Sequence, residues 1–313
     1  MNIQTKFAII AIVIVIPLSA IAVYGTNSNQ QFTVIENSKL QVISSFYPLH
    51  EFSQNVGKDK VDATLLVPIG VEPHDWEPTI KDVQRMQQSD LIIINGIGFE
   101  TWVDSLEENN FQGIVVDTSN DISMKSLTNE HEEVHEENQD EHNHSSGDPH
   151  IWLNPVYAKT QVQNIANAFS NSDPENQQFY QSNAASYIEK LNSLDLKIKN
   201  ELSQCNDDFI AFHDAFSYFA DEYNLVQHTI ISSNDPHGET TARTLENVIS
   251  TAKKLNINVI FSEETVDTKT SQIIANEING KVLVLSPIEV ASPGTYISKM
   301  TENLENLKEA LCQ

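Results

Sequence analysis

Residues 174–203 read PENQQFYQSNAASYIEKLNSLDLKIKNELS. Phe179, Tyr187, Leu191, Leu194 and Ile198 recur at helical spacing with no Gly or Pro after Pro174. Asp173 is a favourable N-cap and Pro174 a favourable first helical residue. At 1.5 Å per residue such a helix spans about 45 Å, enough to run the length of two lobes. A rigid strut of this kind permits only small lobe movements, unlike a flexible multi-strand hinge.

Both flanks of this helix carry the same rhythm. On the N-terminal side, strands are predicted at Leu40–Ser45, Ala63–Val67, Leu91–Asn95 and Ile114–Asp117, with helices at Leu49–Val56, Thr79–Ser89 and Thr101–Glu107. On the C-terminal side, strands are predicted at Phe209–His213, Gln227–Ser232, Asn258–Ser262 and Lys281–Leu285. Helices there fall at Ala215–Tyr223, Thr241–Leu255, Thr270–Ile278 and Tyr296–Leu311. Alternating strands and helices imply parallel sheets covered on both faces. The expected fold is α/β: two (β/α)4 lobes, residues 40–155 and 205–313, joined by the backbone helix 174–203. The cleft between the lobes is the default binding site.

The chain has 313 residues, enough for two domains that each bury a core. Its net charge of -26 argues against nucleic acid, which would repel it. Phe7–Val23 is almost wholly apolar and follows Lys6. The run lies between a signal core of about 7–15 residues and a spanning helix of roughly 17–25. Residues 1–25 are therefore expected to be a signal peptide or an N-terminal membrane anchor, and the remainder to be exported. No cysteine precedes Cys205, which excludes a lipid-modified cysteine at a new N-terminus. Cys205 and Cys312 are either unpaired thiols or a disulfide tying the C-terminal helix to the second lobe.

Three histidines stand where apolar strands run out. They are His74 in Glu-Pro-His-Asp-Trp-Glu-Pro, His150 in Asp-Pro-His-Ile-Trp-Leu, and His213 in Ile-Ala-Phe-His-Asp-Ala-Phe. In α/β proteins ligands lie beyond the carboxyl ends of the strands. Three imidazoles converging there make a nitrogen-rich site suited to zinc. Pro73 and Pro78 stiffen the His74 loop, and Asp75 or Glu77 is expected to orient that ring. Asp214 is expected to open the helix after His213. A fourth ligand comes from Glu263, Glu264 or Glu289, and His237 suits an entrance or secondary site. His50 and His228 read as structural. Residues 130–146 hold His131, His135, His142 and His144 among seven carboxylates and a single aliphatic, Val134. Such a segment buries too little to order itself and is expected to be a mobile loop that captures zinc transiently.

These motifs, in this order, resemble the metal-binding subunits of zinc and manganese ABC importers, the cluster A-I solute-binding proteins, and most closely the zinc branch. The resemblance covers about residues 40–313. It rests on Ser45-Phe46-Tyr47-Pro48-Leu49, Val67-Pro68, Glu72-Pro73-His74-Asp75-Trp76-Glu77-Pro78 and Asn95-Gly96. Further on it rests on Asp148-Pro149-His150-Ile151-Trp152-Leu153, Asp173-Pro174-Glu175-Asn176 and Phe212-His213-Asp214-Ala215-Phe216. It implies His74, His150 and His213 as zinc ligands, with Mn²⁺ disfavoured because manganese-type relatives usually keep two histidines and two carboxylates. The family commonly has an aspartate where this chain has Ser286, a poor ligand. That ranks Glu289 or water first for the fourth position, with Glu72 or Glu263 behind. The implied function is extracytoplasmic Zn²⁺ capture by a monomer associated with the cell membrane, and delivery to an importer permease with its ATPase. The alternatives are a zinc hydrolase using the same site, or a metal-binding adhesin.

Overall fold

Val42 and Ile43, adjacent on the first strand, enter different cores, and this alternation organises each lobe. The computed structural model describes residues 39–108, 111–123, 147–233, 236–237 and 240–312. The apolar run Phe7–Val23 and the histidines of residues 130–146 lie outside them.

The first lobe has strands β1 (Leu40–Ser44), β2 (Val61–Leu65), β3 (Leu91–Ile94) and β4 (Ile114–Asp117), in the order β2-β1-β3-β4. Helices α1 (Tyr47–Gly57), α2 (Ile80–Met86) and α3 (Asp104–Glu108) connect them. Thr79 starts α2 with a reciprocal cap: its hydroxyl accepts from the Asp82 N–H, and the Asp82 carboxylate accepts from the Thr79 N–H. The second lobe repeats the plan with β5 (Asp208–Ala211), β6 (Val226–Thr229), β7 (Val259–Ser262) and β8 (Lys281–Val284), in the order β6-β5-β7-β8. Its helices α6 (Ser217–Tyr223), α7 (Ala242–Leu255), α8 (Lys269–Glu277) and α9 (Tyr296–Leu311) complete the lobe. Every strand pair is parallel. Strand order reverses at β1/β3 and again at β5/β7, so a crevice opens at the carboxyl end of each sheet.

Two helices join the lobes where one was expected. Helix α4 (Pro155–Ser172), which the sequence reading does not assign, packs against α5 (Gln177–Leu202). The turn Pro174–Asn176 between them is 3-10, so the α-helix begins three residues later than expected. Asp173 makes no side-chain cap to the backbone. Its carboxylate accepts instead from the Asn176 amide and from the Tyr180 hydroxyl. Helix α5 buries Tyr180, Ala184, Tyr187, Leu191, Leu194, Ile198 and Leu202, whereas Phe179 is half-buried. At 26 residues it spans about 39 Å. One continuous apolar cluster takes the inner faces of both sheets (Val42, Leu91, Ile93; Phe209, Val259, Phe261) together with α4 and α5. Cys205 and Cys312 form a disulfide that ties the end of α5 to the end of α9.

Candidate metal centre

Each of the four site residues comes from a segment leaving the carboxyl side of a sheet, or from the junction between lobes. His74 lies in the loop after β2, and His213 stands two residues past β5. His150 precedes the 3-10 turn Ile151–Leu153 that leads into α4, and Glu289 lies five residues past β8. Together they present one ligand atom apiece, all within 4.8 Å of one another. His150 Nε2 and His213 Nε2 are 3.3 Å apart. Glu289 Oε1 lies 3.3 Å from His74 Nε2, 3.1 Å from His150 Nε2 and 3.7 Å from His213 Nε2. A tetrahedral zinc with bonds of about 2.0–2.1 Å sets its ligand atoms about 3.3 Å apart. His150, His213 and Glu289 are buried; the His74 side chain keeps 10% of its surface and is the open corner.

Two rings are held from behind. Asp148 Oδ1 accepts from His150 Nδ1 at 2.8 Å and from the His150 backbone N–H at 3.0 Å. The other Asp148 oxygen accepts from the Ser217 hydroxyl. Glu263 Oε1 accepts from His213 Nδ1 at 2.6 Å. With Nδ1 donating to a carboxylate, Nε2 of each neutral ring carries the lone pair toward the centre. Glu263 thus orients His213 from its far side rather than joining the cluster. Asp75 and Glu77, expected behind His74, are exposed, and Glu77 accepts from Thr101. The group beside His74 is Glu72, whose Oε1 accepts from the His74 backbone N–H at 3.2 Å. Asn95 Nδ2 donates to the Pro149 carbonyl at 2.8 Å, steadying the residue before His150. Gly96, at φ +86°, has no room for a Cβ beside the Asp117 carboxylate.

The electrostatics are those of a cation seat filled by a proton. Burial works to lower the His150 pKa, but hydrogen bonds and charge from Asp148 and Glu289 outweigh it and carry it up to about 10. Burial favours a neutral Glu289, yet the charge of His74 and the hydrogen bond from His150 hold it well below the usual carboxylate range. Burial first, and the charge of Glu289 second, push Glu72 up to about 9, which keeps it a neutral acid near pH 7. One carboxylate, Glu289, therefore carries the negative charge at the ligand atoms.

The remaining candidates lie elsewhere. Glu264 pairs with the buried Lys299 at 3.6 Å, and His237 is exposed. His228 pairs with Asp208 at 2.7 Å. Burial lowers the pKa of His50 on α1. Asp214 bonds Gln227, and α6 starts at Ser217, three residues later than Asp214. Sequence reasoning missed Asp148 as the orienting group of His150, although a carboxylate two residues before a metal-type histidine is itself a signal.

Comparison with known proteins finds relatives of this chain in sequence and in fold. Residues 42–310 match the family described as ZnuA, zinc-uptake complex component A, periplasmic. The chain is 37% identical over 300 residues to the high-affinity zinc uptake system protein ZnuA of Bacillus subtilis (strain 168), covering 93% of each chain. It is 32% identical over 316 residues to the zinc-binding protein AdcA of Streptococcus pyogenes serotype M3 (strain MGAS315), covering 94% of this chain but 61% of that one. Among solved structures, the Zn(II)-bound ZnuA-like domain of Streptococcus pneumoniae AdcA superposes with a TM-score of 0.75 at 31% identity, covering 88% of this chain and 100% of that domain. The laminin binding protein Lmb of Streptococcus agalactiae, described as bifunctional with adhesin and metal transporting activity, gives 0.77 at 27% identity, covering 87% and 99%.

Proposed function

The chain belongs to the zinc-uptake complex component A family, and from that membership together with the site we propose that it captures Zn²⁺ outside the cytoplasmic membrane and hands it to an ABC-type importer. The ligands are His74, His150, His213 and Glu289. The carrying observation is the spacing of the ligand atoms: Glu289 Oε1 stands 3.1–3.7 Å from all three Nε2 atoms, close to the edges of a zinc tetrahedron. Three neutral nitrogens and one carboxylate leave the seat a single positive charge, and the buried Asp148 and Glu263 carboxylates, one behind each of two rings, make its surroundings electronegative.

Four protein ligands close the coordination shell. A hydrolytic zinc keeps a fourth position for water, so this donor set suits holding and release rather than turnover. His74, partly open and carried on the proline-stiffened loop, is the ligand that parts first when a permease docks over the cleft. The importer's permease and ATPase are the partners of this reading. Among the described residues no helix is long and apolar enough to cross a membrane. Residues 130–146 collect the ion and pass it to His150.

The test is competitive metal titration of the chain against a chromophoric chelator, with and without residues 130–146. Zinc is expected to bind near 1:1, to survive the deletion, and to be lost in His74→Ala and His213→Ala. High-affinity binding that vanished with the deletion and ignored the two point changes would place the seat elsewhere.

A further inference from the structure

Glu289 follows a backbone that is tied down residue by residue. The Ser286 N–H donates to Asn303 Oδ1 at 2.8 Å, and Asn303 Nδ2 donates to the Ser286 carbonyl at 2.7 Å. Asn303 lies on α9 and is buried. The Pro287 carbonyl accepts from the indole N–H of Trp152 at 2.8 Å. The Ile288 N–H donates back to Ser286 Oγ at 3.2 Å. Ile288 has φ +58°, a left-handed conformation that a β-branched residue disfavours, and its side chain is buried in the main core. The hydroxyl bond from position 286 to the N–H two residues on is the local turn that serine forms readily. The far end of the segment is tied as well. Tyr47 donates to the Gly294 carbonyl at 2.9 Å, and the Tyr296 N–H donates to Glu51 at 2.5 Å.

The anchors come from both sides of the cleft. Asn303 belongs to the second lobe, whereas Trp152 sits two residues after the ligand His150, and Tyr47 and Glu51 lie on α1 of the first lobe. A strained turn persists only where its surroundings over-determine it, and here the over-determined residue adjoins the only carboxylate in the ligand cluster.

We propose that Ser286 and Trp152 are positioning residues for Glu289, and that the tethered segment 286–289 fixes the shell of the bound ion at four ligands. Ser286 thereby does its work as a turn former, without touching the ion. Held this way, Glu289 cannot swing aside to admit water, which selects zinc over ions such as Mn²⁺ that favour six oxygen-rich ligands. This inference rests on the four-ligand reading of the site.

The test uses the full chain freed of metal, with Co²⁺ as a spectroscopic stand-in, because four-coordinate cobalt absorbs far more strongly in the visible than five- or six-coordinate cobalt. Ser286→Ala and Trp152→Phe are expected to weaken zinc binding about 10–100-fold, the usual cost of losing a group that orients a ligand. Their cobalt bands should fall toward those of Glu289→Gln, and their Zn²⁺/Mn²⁺ affinity ratio should fall with them. Ser286→Thr, which keeps the hydroxyl, should restore both readouts. Circular dichroism reports whether each variant folds, and if Trp152→Phe does not, the Ser286 pair decides alone. Wild-type cobalt bands and zinc affinity in Ser286→Ala overturn the proposal, as does a Ser286→Thr protein no better than the alanine variant. Failure of the wild-type chain to bind zinc, or equal binding by His213→Ala, overturns instead the four-ligand reading and this inference with it.

Discussion

The rings of His150 and His213 are oriented by Asp148 and Glu263, and this makes the carboxylates behind the site testable apart from the ligands. Asp148→Asn and Glu263→Gln are expected to lower zinc affinity about 10–100-fold in a chelator competition, without abolishing binding. Protons compete for the same seat. The His150 pKa, raised to about 10 by Asp148 and Glu289 against the effect of burial, means that zinc displaces a proton from this ring at neutral pH. Apparent zinc affinity should therefore climb with pH up to about 10, by as much as tenfold per unit where one proton is released. For the metal-free fold the sign is opposite. A raised histidine pKa stabilises fully below its unfolded value of about 6.5, and that contribution fades as pH rises toward 10. The rise in melting temperature on adding zinc should thus grow from pH 6 to pH 9, and a rise that shrank over that range would contradict the assignment. The histidines were legible in the sequence because each follows an apolar strand-like run. The bond from Trp152 to Pro287 was not, since its partners lie 135 residues apart and meet only when both lobes are built.

Helices α4 and α5 show where periodicity fails as a guide. The buried face of α4 includes Ala158, Gln161, Ala166 and Ser170 beside Val162, Ile165 and Phe169, so its apolar stripe is faint. Small residues suit close approach of two helices, and Gln161 is buried because Asn95 and Thr118 accept its amide protons. Both conditions belong to tertiary structure, which is why the sequence reading left this stretch unassigned while it placed α9 and β4 at their observed bounds. The ligand-bearing segment after β8 offers the sharper trial. Ile288→Gly and Ile288→Ala remove nearly the same buried contacts, the alanine keeping only its Cβ, and differ chiefly in tolerance of φ +58°. The glycine variant should be the more stable of the two by about 1 kcal/mol in urea unfolding of the metal-free protein. It should also bind zinc less tightly than the alanine variant, because the freed backbone no longer aims Glu289. Equal stabilities would remove strain from the account of this turn.

The two lobes share one apolar core, one helix running along both, and polar ties such as the Glu51 carboxylate accepting from Tyr187 and from the Tyr296 N–H. Opening the cleft by a wide hinge would pull α1 from α9 and expose those groups unpaired, a cost of about 1–3 kcal/mol for each buried group left without a partner. Zinc capture should accordingly proceed by movement of loops around His74 rather than by rotation of lobes. The disulfide bears on the same question, because it ties α5 to α9 across 107 residues of sequence at the end remote from the metal. Reducing and alkylating Cys205 and Cys312 should lower stability by about 2–4 kcal/mol while leaving zinc affinity within a few-fold, since the ligands are held by contacts of their own. Small-angle scattering of metal-free and zinc-loaded protein should give superimposable profiles in both the oxidised and the reduced forms. A compaction on zinc binding of the size produced by domain closure would mean that the shared core parts in solution, and that Glu51 and Trp152 are released with every cycle of capture.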